Sequence, residues 1–168
     1  MSASQARVAT ARARAQESES DSLAVFTTLA RTGLFLDALQ RECLGAHGLS
    51  FNEYSVLRLL QRALDHALSP KSLTREIVCT SGAMTKLLDR LQRARRVRRR
   101  PDPADRRGVL VELTRKGDAD AEAAAATYRE GRERVLAQLR PQDVASIGRG
   151  LEKLLTGFEA DHEESSAP

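Results

Sequence analysis

Between Ser22 and Ala46 the apolar positions recur every three or four residues, at Leu23, Phe26, Leu29, Ala30, Leu36, Leu39 and Cys43. A helix of 3.6 residues per turn brings such positions to one side, so this spacing predicts an α-helix. Gly45 and Gly48 punctuate its end. Ser50 with Glu53 three residues later is a capping box, opening a second helix with Tyr54, Val56, Leu57 and Leu60. Ser69-Pro70 interrupts the pattern, and a short helix from about Ser72 to Val78 is expected to bury Leu73 and Ile77. Thr80 and Ser81 are N-cap types ahead of a helical pattern running to about Arg93.

Beyond Arg93 the period changes. Val109, Val111 and Leu113 alternate with Leu110 and Glu112, as along a strand. Pro101-Asp102-Pro103-Ala104-Asp105 is rich in turn formers, so Arg98-Arg99-Arg100 is placed on a second strand across a turn. Thr114 is the expected cap of a long Ala-rich helix, Arg115 to about Leu139. Pro141 suits the first position of a last helix, with Val144, Ile147, Leu151, Leu154, Leu155 and Phe158 on one side. The order is helix, helix, short helix, helix, hairpin, long helix, helix: mainly α with a small β-hairpin. Scarce aromatics, 4% with no Trp, leave the core to Leu, Ala, Val and Ile, which agrees.

The length of 168 residues is about one domain, enough to bury a core. No uninterrupted run of 18 apolar residues exists, so no membrane span is expected. Residues 1–21 lack the apolar block of a secretory signal, and Glu17, Glu19 and Asp21 count against a transit peptide. A flexible or loosely helical extension is expected there, and an acidic, frayed tail over 161–168. Two cysteines, Cys43 and Cys79, make no disulfide framework, which fits a reducing, cytoplasmic setting.

Charge sharpens the picture. Residues 71–107 hold twelve Lys/Arg against four Asp/Glu, a balance of +8 in a chain whose total is +4. A basic middle is the footprint of a polyanion partner, although a basic run is also an ordinary solvated face. On a wheel of 100° per residue, Met84, Leu87, Leu88 and Leu91 form an apolar stripe. Gly82, Lys86, Asp89 and Arg93 lie opposite, flanked by Thr85 and Arg90. One side of this helix can pack while the other meets a major groove, with Gly82 and Ala83 permitting close approach. A plain amphipathic helix satisfies the same pattern. The hairpin adds Arg106 and Arg107 at a turn, where an arginine suits the negative potential of a narrow minor groove. Asp105 is placed to hold the Arg107 guanidinium through a charged hydrogen bond, and Arg98, Arg99 and Arg100 offer phosphate contacts.

At this point the chain resembles a known family. Thr80-Ser81-Gly82-Ala83-Met84-Thr85-Lys86-Leu87-Leu88-Asp89-Arg90-Leu91, followed by Arg100-Pro101-Asp102-Pro103-Ala104-Asp105-Arg106-Arg107-Gly108-Val109-Leu110-Val111-Glu112-Leu113-Thr114, is similar to the signature of the multiple antibiotic resistance regulator (MarR) family. The resemblance implies a winged helix-turn-helix over 50–114. The helix of 22–49 and the helices of 115–160 would form the dimerisation region of an obligate homodimer on a palindromic promoter site. By position Ser81, Thr85, Lys86 and Arg90 match the recognition helix, and Asp105 and Arg107 the wing tip. The full set of expected DNA-binding residues is Ser81, Gly82, Thr85, Lys86, Arg90, Arg93, Arg98, Arg100, Asp105, Arg106 and Arg107. Where the family usually has Gly-Leu-Val after this helix, the chain has Arg95-Arg96-Val97. Arg95 must then accept a left-handed turn or the turn differs, and both arginines are candidate phosphate contacts.

The implied function is that of a transcriptional regulator, acting as a ligand-responsive repressor. The alternative is a basic architectural protein that binds DNA or RNA without sequence preference. Family resemblance suggests a small aromatic or phenolic effector; urate is a lesser option, since the tryptophan of the urate-responsive branch is missing. Cys79, ahead of the recognition helix, is either a buried thiol or a redox-sensitive one. Glu42, Cys43 and His47 suggest zinc only loosely. With no Gly-rich phosphate loop, nucleophile elbow or Cys/His cluster, neither an enzyme nor a cofactor is expected.

Overall fold

The computed structural model describes residues 3–77, 79–105 and 107–166. In chain order the elements are α1 (Ala3–Gly45), α2 (Phe51–Arg62), β1 (Ala67–Leu68), α3 (Pro70–Glu76), α4 (Ser81–Arg93), β2 (Val97–Pro101), β3 (Val109–Leu113), α5 (Arg115–Leu136) and α6 (Pro141–Ser166). A single 3₁₀ turn, Leu64–His66, joins α2 to β1. The chain divides into two compact units, Met1–Ala124 and Ala125–Pro168.

Local chemistry places most of the helix starts. Ser50 Oγ accepts from the Glu53 N–H at 3.3 Å, and the Glu53 carboxylate accepts from the Ser50 N–H at 2.8 Å, so the expected capping box is complete. The short helix α3 starts two residues earlier than the apolar pattern indicates. Pro70 occupies its first turn, where a missing N–H costs nothing, and Ser69 caps it by accepting from Ser72 N–H. Thr80 caps α4, and Thr114 Oγ1 accepts from the Gly117 N–H at 3.0 Å to start α5.

The three strands form one antiparallel sheet in the order β1-β3-β2. The expected hairpin is present, with Arg98 opposite Glu112 and Arg100 opposite Leu110. β1 is not among the elements the pattern predicts. Two residues carry no period, and Ala67 and Leu68 become a strand only because β3 lies beside them to accept the pairing. Leu57, Leu60, Leu73, Leu91 and Val111 are fully buried at the centre of the first unit. There α4 packs against α2, α3 and β2. Each such side chain contributes about 1.5–3 kcal/mol through burial.

α1 is continuous from Ala3 to Gly45, with no break at residue 21. Many of the apolar residues in its second half are uncovered, with Leu34 and Phe35 each 72% exposed. The segment Glu19–Gly45 is long and apolar enough to cross a membrane, with a mean hydropathy of 1.3 over 18 residues. A search for uninterrupted apolar runs passes over this segment, since Arg31 and Asp37 interrupt the apolar sequence without making it polar. One such helix near an N-terminus is weak evidence for a span. In the second unit α6 extends to Ser166, beyond the residue at which the acidic tail is expected to begin. Its Ile147, Leu151, Leu155 and Phe158 are about half exposed along one side.

Candidate nucleic-acid interface

α4 divides as its sequence pattern requires. Met84, Leu87, Leu88 and Leu91 are buried, while Ser81, Gly82, Ala83, Thr85, Lys86, Arg90 and Arg93 are exposed. A side chain added at Gly82 would meet nothing within 4 Å, so the fold's own packing does not demand the small residue there. Thr85 donates its hydroxyl to the Ser81 carbonyl at 3.0 Å, so its hydroxyl oxygen is left to act as an acceptor. Lys86 has no ion-pair partner among the described residues.

The arginines of α4 and β2 are braced. Arg90 Nε lies 3.0 Å from Glu53 Oε1, whose side chain is only 10% exposed because it serves the α2 capping box. A buried carboxylate thus fixes one edge of a guanidinium whose side chain stays 57% exposed. Arg93 Nε donates to the Asp89 carbonyl at 3.3 Å. On β2 the side chains alternate. Arg98 and Arg100 both reach Glu112, at 2.7 and 2.9 Å. Arg99 turns to the opposite face and binds Asp89 at 2.7 Å and Gln92 at 2.8 Å, tying the wing strand to α4. The Arg98 hydrogen bond, only partly opposed by burial and aided by the charges of Arg98 and Arg100, holds the Glu112 carboxyl below the ordinary carboxylate range.

The wing turn is shaped by two aspartates. Asp102 Oδ1 accepts from Ala104 N–H and Asp105 Oδ1 from Arg107 N–H, each at 2.9 Å. Asp105 therefore engages the Arg107 backbone and sets the turn, where the sequence suggests a contact to the guanidinium. The Arg107 side chain is exposed. Arg106 lies outside the described residues. Arg95 adopts φ 58, accepting the left-handed turn that glycine would take without strain. Arg96 overturns its expected role as a phosphate contact. Its side chain is 12% exposed and binds inward to Asp120 and to the carbonyls of His47 and Gly48.

A cavity of about 420 Å³ opens between the end of α1, the start of α2 and α4. Its lining includes Asp37, Gln40, Phe51, Cys79, Leu87 and Arg90. Cys43 is buried in the core. Among the described residues no group of three His, Cys, Asp or Glu side chains is placed to hold a metal ion.

Residues 47–108 match the model of the MarR family. The chain is 32% identical over 100 residues to the HTH-type transcriptional regulator PecS of Dickeya dadantii, covering 59% of this chain and 60% of that protein. It is 35% identical over 101 residues to the HTH-type transcriptional repressor YetL of Bacillus subtilis, covering 60% of each. The match thus spans about 60% of the length of these curated relatives. Among solved structures, a cysteine-to-serine mutant of Escherichia coli MarR complexed with operator DNA superposes with a TM-score of 0.70 at 29% identity. That superposition covers 76% of this chain and 91% of the other.

Residues 47–108 thus match the MarR family, and the chain shares the fold of solved MarR regulators. Its winged-helix fold is the one these regulators share, and every expected DNA-binding residue lies inside the matched segment. Within this lobe, three carboxylates from outside residues 71–107, those of Glu53, Glu112 and Asp120, pair with its arginines and lower the excess of positive charge. Counting charge along the sequence overstates the outward field, because it cannot see partners that arrive from other elements. Sequence reasoning also missed Arg99 and Glu112 as braces. The two-residue period of a strand was the available signal, since it separates Arg99 from Arg98 and Arg100.

Proposed function

We propose that the chain is a sequence-specific, double-stranded DNA-binding transcriptional regulator acting as a homodimer on a palindromic site, most simply as a cytoplasmic, effector-responsive repressor. The observation that carries this reading is the outward edge of α4. Ser81, Gly82, Thr85 and Lys86 are exposed at its N-terminal end, on the same reading unit as a wing that carries Arg107. Side chains near the N-terminus of a groove-bound helix meet base edges, and a wing arginine suits the adjoining minor groove. The relatives support it: one is a regulator, one a repressor, and one was solved with operator DNA. The uncovered apolar residues of α1 support a second copy, since Leu34 and Phe35 would otherwise stand in water. Two recognition helices about 34 Å apart would then enter successive major grooves. The cavity beside Arg90 is the place for a small aromatic or phenolic effector, where occupancy would disturb the Glu53–Arg90 pair.

The test is competition binding. Labelled promoter DNA from beside the protein's own gene is challenged with unlabelled promoter, with random duplex and with RNA. Preference for the promoter is expected, and equal competition by all three would establish the architectural alternative. Arg107→Ala should weaken binding by about tenfold or more, the worth of a charge-assisted hydrogen bond. Lys86→Ala should lower the salt slope by about one if it contacts phosphate, or alter base preference if it contacts a base. Parent-like binding by both variants would place the wrong face against DNA.

A further inference from the structure

Arg96 stands where the reading unit joins the rest of its lobe. Its Nη2 donates to the His47 carbonyl at 2.7 Å and its Nη1 to the Gly48 carbonyl at 2.8 Å, both in the corner between α1 and α2. Its Nε donates to Asp120 Oδ2 at 2.8 Å, in the second turn of α5. Lys116 donates to the same carboxylate oxygen at 2.6 Å and helps hold it in place. The Arg96 backbone adds a fourth tie, because its carbonyl accepts from the Thr114 N–H at 3.1 Å and from the Thr114 hydroxyl at 2.9 Å.

One residue between α4 and β2 therefore joins segments 48, 49 and 24 positions away through its side chain alone. An apolar side chain at the same place would add burial, which has no direction. A planar guanidinium with three fixed donors sets both distance and angle. Turning α4 and the wing relative to α1 and the first turns of α5 requires these charge-assisted bonds to break together.

We propose that Arg96 is a positioning residue for DNA reading, which locks the α4–wing unit against α1 and α5 and so sets the separation of the two recognition helices in the dimer. The inference rests on the homodimeric DNA-binding reading above. It predicts a role in choosing the spacing of half-sites, without any contact between Arg96 and DNA.

The test uses the full chain and duplexes carrying the palindrome that the parent protein enriches from a random pool. Zero, one or two base pairs are inserted at the centre, and a single half-site serves as reference. Affinity is read by fluorescence anisotropy for the parent, Arg96→Leu, Arg96→Lys and Asp120→Asn. The parent should prefer its selected spacing, and Arg96→Leu should reduce that preference at least tenfold. Its half-site affinity should stay within about twofold of the parent. Arg96→Lys, which keeps the charge and some donors, should recover part of the preference. An equal loss at every spacing, or an unchanged preference, would show that Arg96 is merely structural and overturn the proposal. A parent that selects no duplex overturns the DNA-binding reading and this role with it. If Arg96→Leu does not fold, the comparison of Asp120→Asn with the parent decides by the same criterion.

Discussion

Replacing Gly117 by alanine sets two physical effects of opposite sign against each other. Gly117 lies in the first turn of α5, and helix propensity alone favours the change by about 0.8–1.0 kcal/mol. The structure opposes it. A Cβ at this position would lie 2.8 Å from the Arg96 carbonyl carbon, with the carbonyl oxygen closer still, and 3.0 Å from Leu113 Cδ1. The leucine methyl can move, but the carbonyl is backbone and accepts two hydrogen bonds from Thr114. Overpacking costs about 1–3 kcal/mol, and each weakened hydrogen bond about 1 kcal/mol. Set against the propensity gain, the net expectation is a loss of about 1–4 kcal/mol. For a chain of this size that corresponds to a fall in Tm of roughly 3–15 °C. Urea unfolding followed by circular dichroism, with a thermal scan beside it, measures the change. Gly157→Ala is the control: an added Cβ there meets nothing within 4 Å, so propensity should act unopposed and stabilise. Stability equal to or above that of the parent in Gly117→Ala would refute the argument.

Two further outcomes follow from the same structure. Burial alone would raise the Asp120 carboxyl, but the hydrogen bonds from Lys116 and Arg96 prevail and hold it below its ordinary value of 3.8. Its contribution to stability is therefore complete above that value and lost as pH falls through it toward the lower folded-state value. Between about pH 5 and pH 3 the parent should lose unfolding free energy more steeply than Asp120→Asn; parallel curves would show that the carboxylate contributes nothing. On α1, Leu34→Glu combined with Phe35→Glu places charge on two residues each 72% exposed, so the folded lobe should tolerate it. Sedimentation velocity should then report a smaller species than the parent, with helical content retained, and an unchanged sedimentation coefficient would remove this face from the dimer reading.

Much of the lobe was legible in the chain because its signals are local. The stripe of Met84, Leu87, Leu88 and Leu91, the Ser50–Glu53 capping box, and the alternation of Val109, Val111 and Leu113 each lie within a few residues, where helix and strand geometry translate spacing directly into facing. The dense pair of motifs between Thr80 and Thr114 likewise carried the family resemblance. The partners of the arginines were another matter. Glu53 meets Arg90 from another helix, Glu112 meets Arg98 and Arg100 across a strand pair, and Asp120 meets Arg96 from α5. Nothing in the run of bases shows which ones are held inward, since an ion pair depends on distance in space and the chain records only order.

Order along the chain thus determined which helices and which hairpin form, which side of α4 is greasy and which is wet, and that a basic helix-and-hairpin segment lies in the middle. Tertiary packing alone decided that Ala67 and Leu68 become a strand, that Gly117 must lack a side chain, and that Arg96 turns inward as a clamp. The first set follows from contacts between near neighbours, whose geometry a single turn or pleat dictates. The second depends on backbone and charged groups brought together from up to 49 residues apart, and those distances exist only once the core has closed.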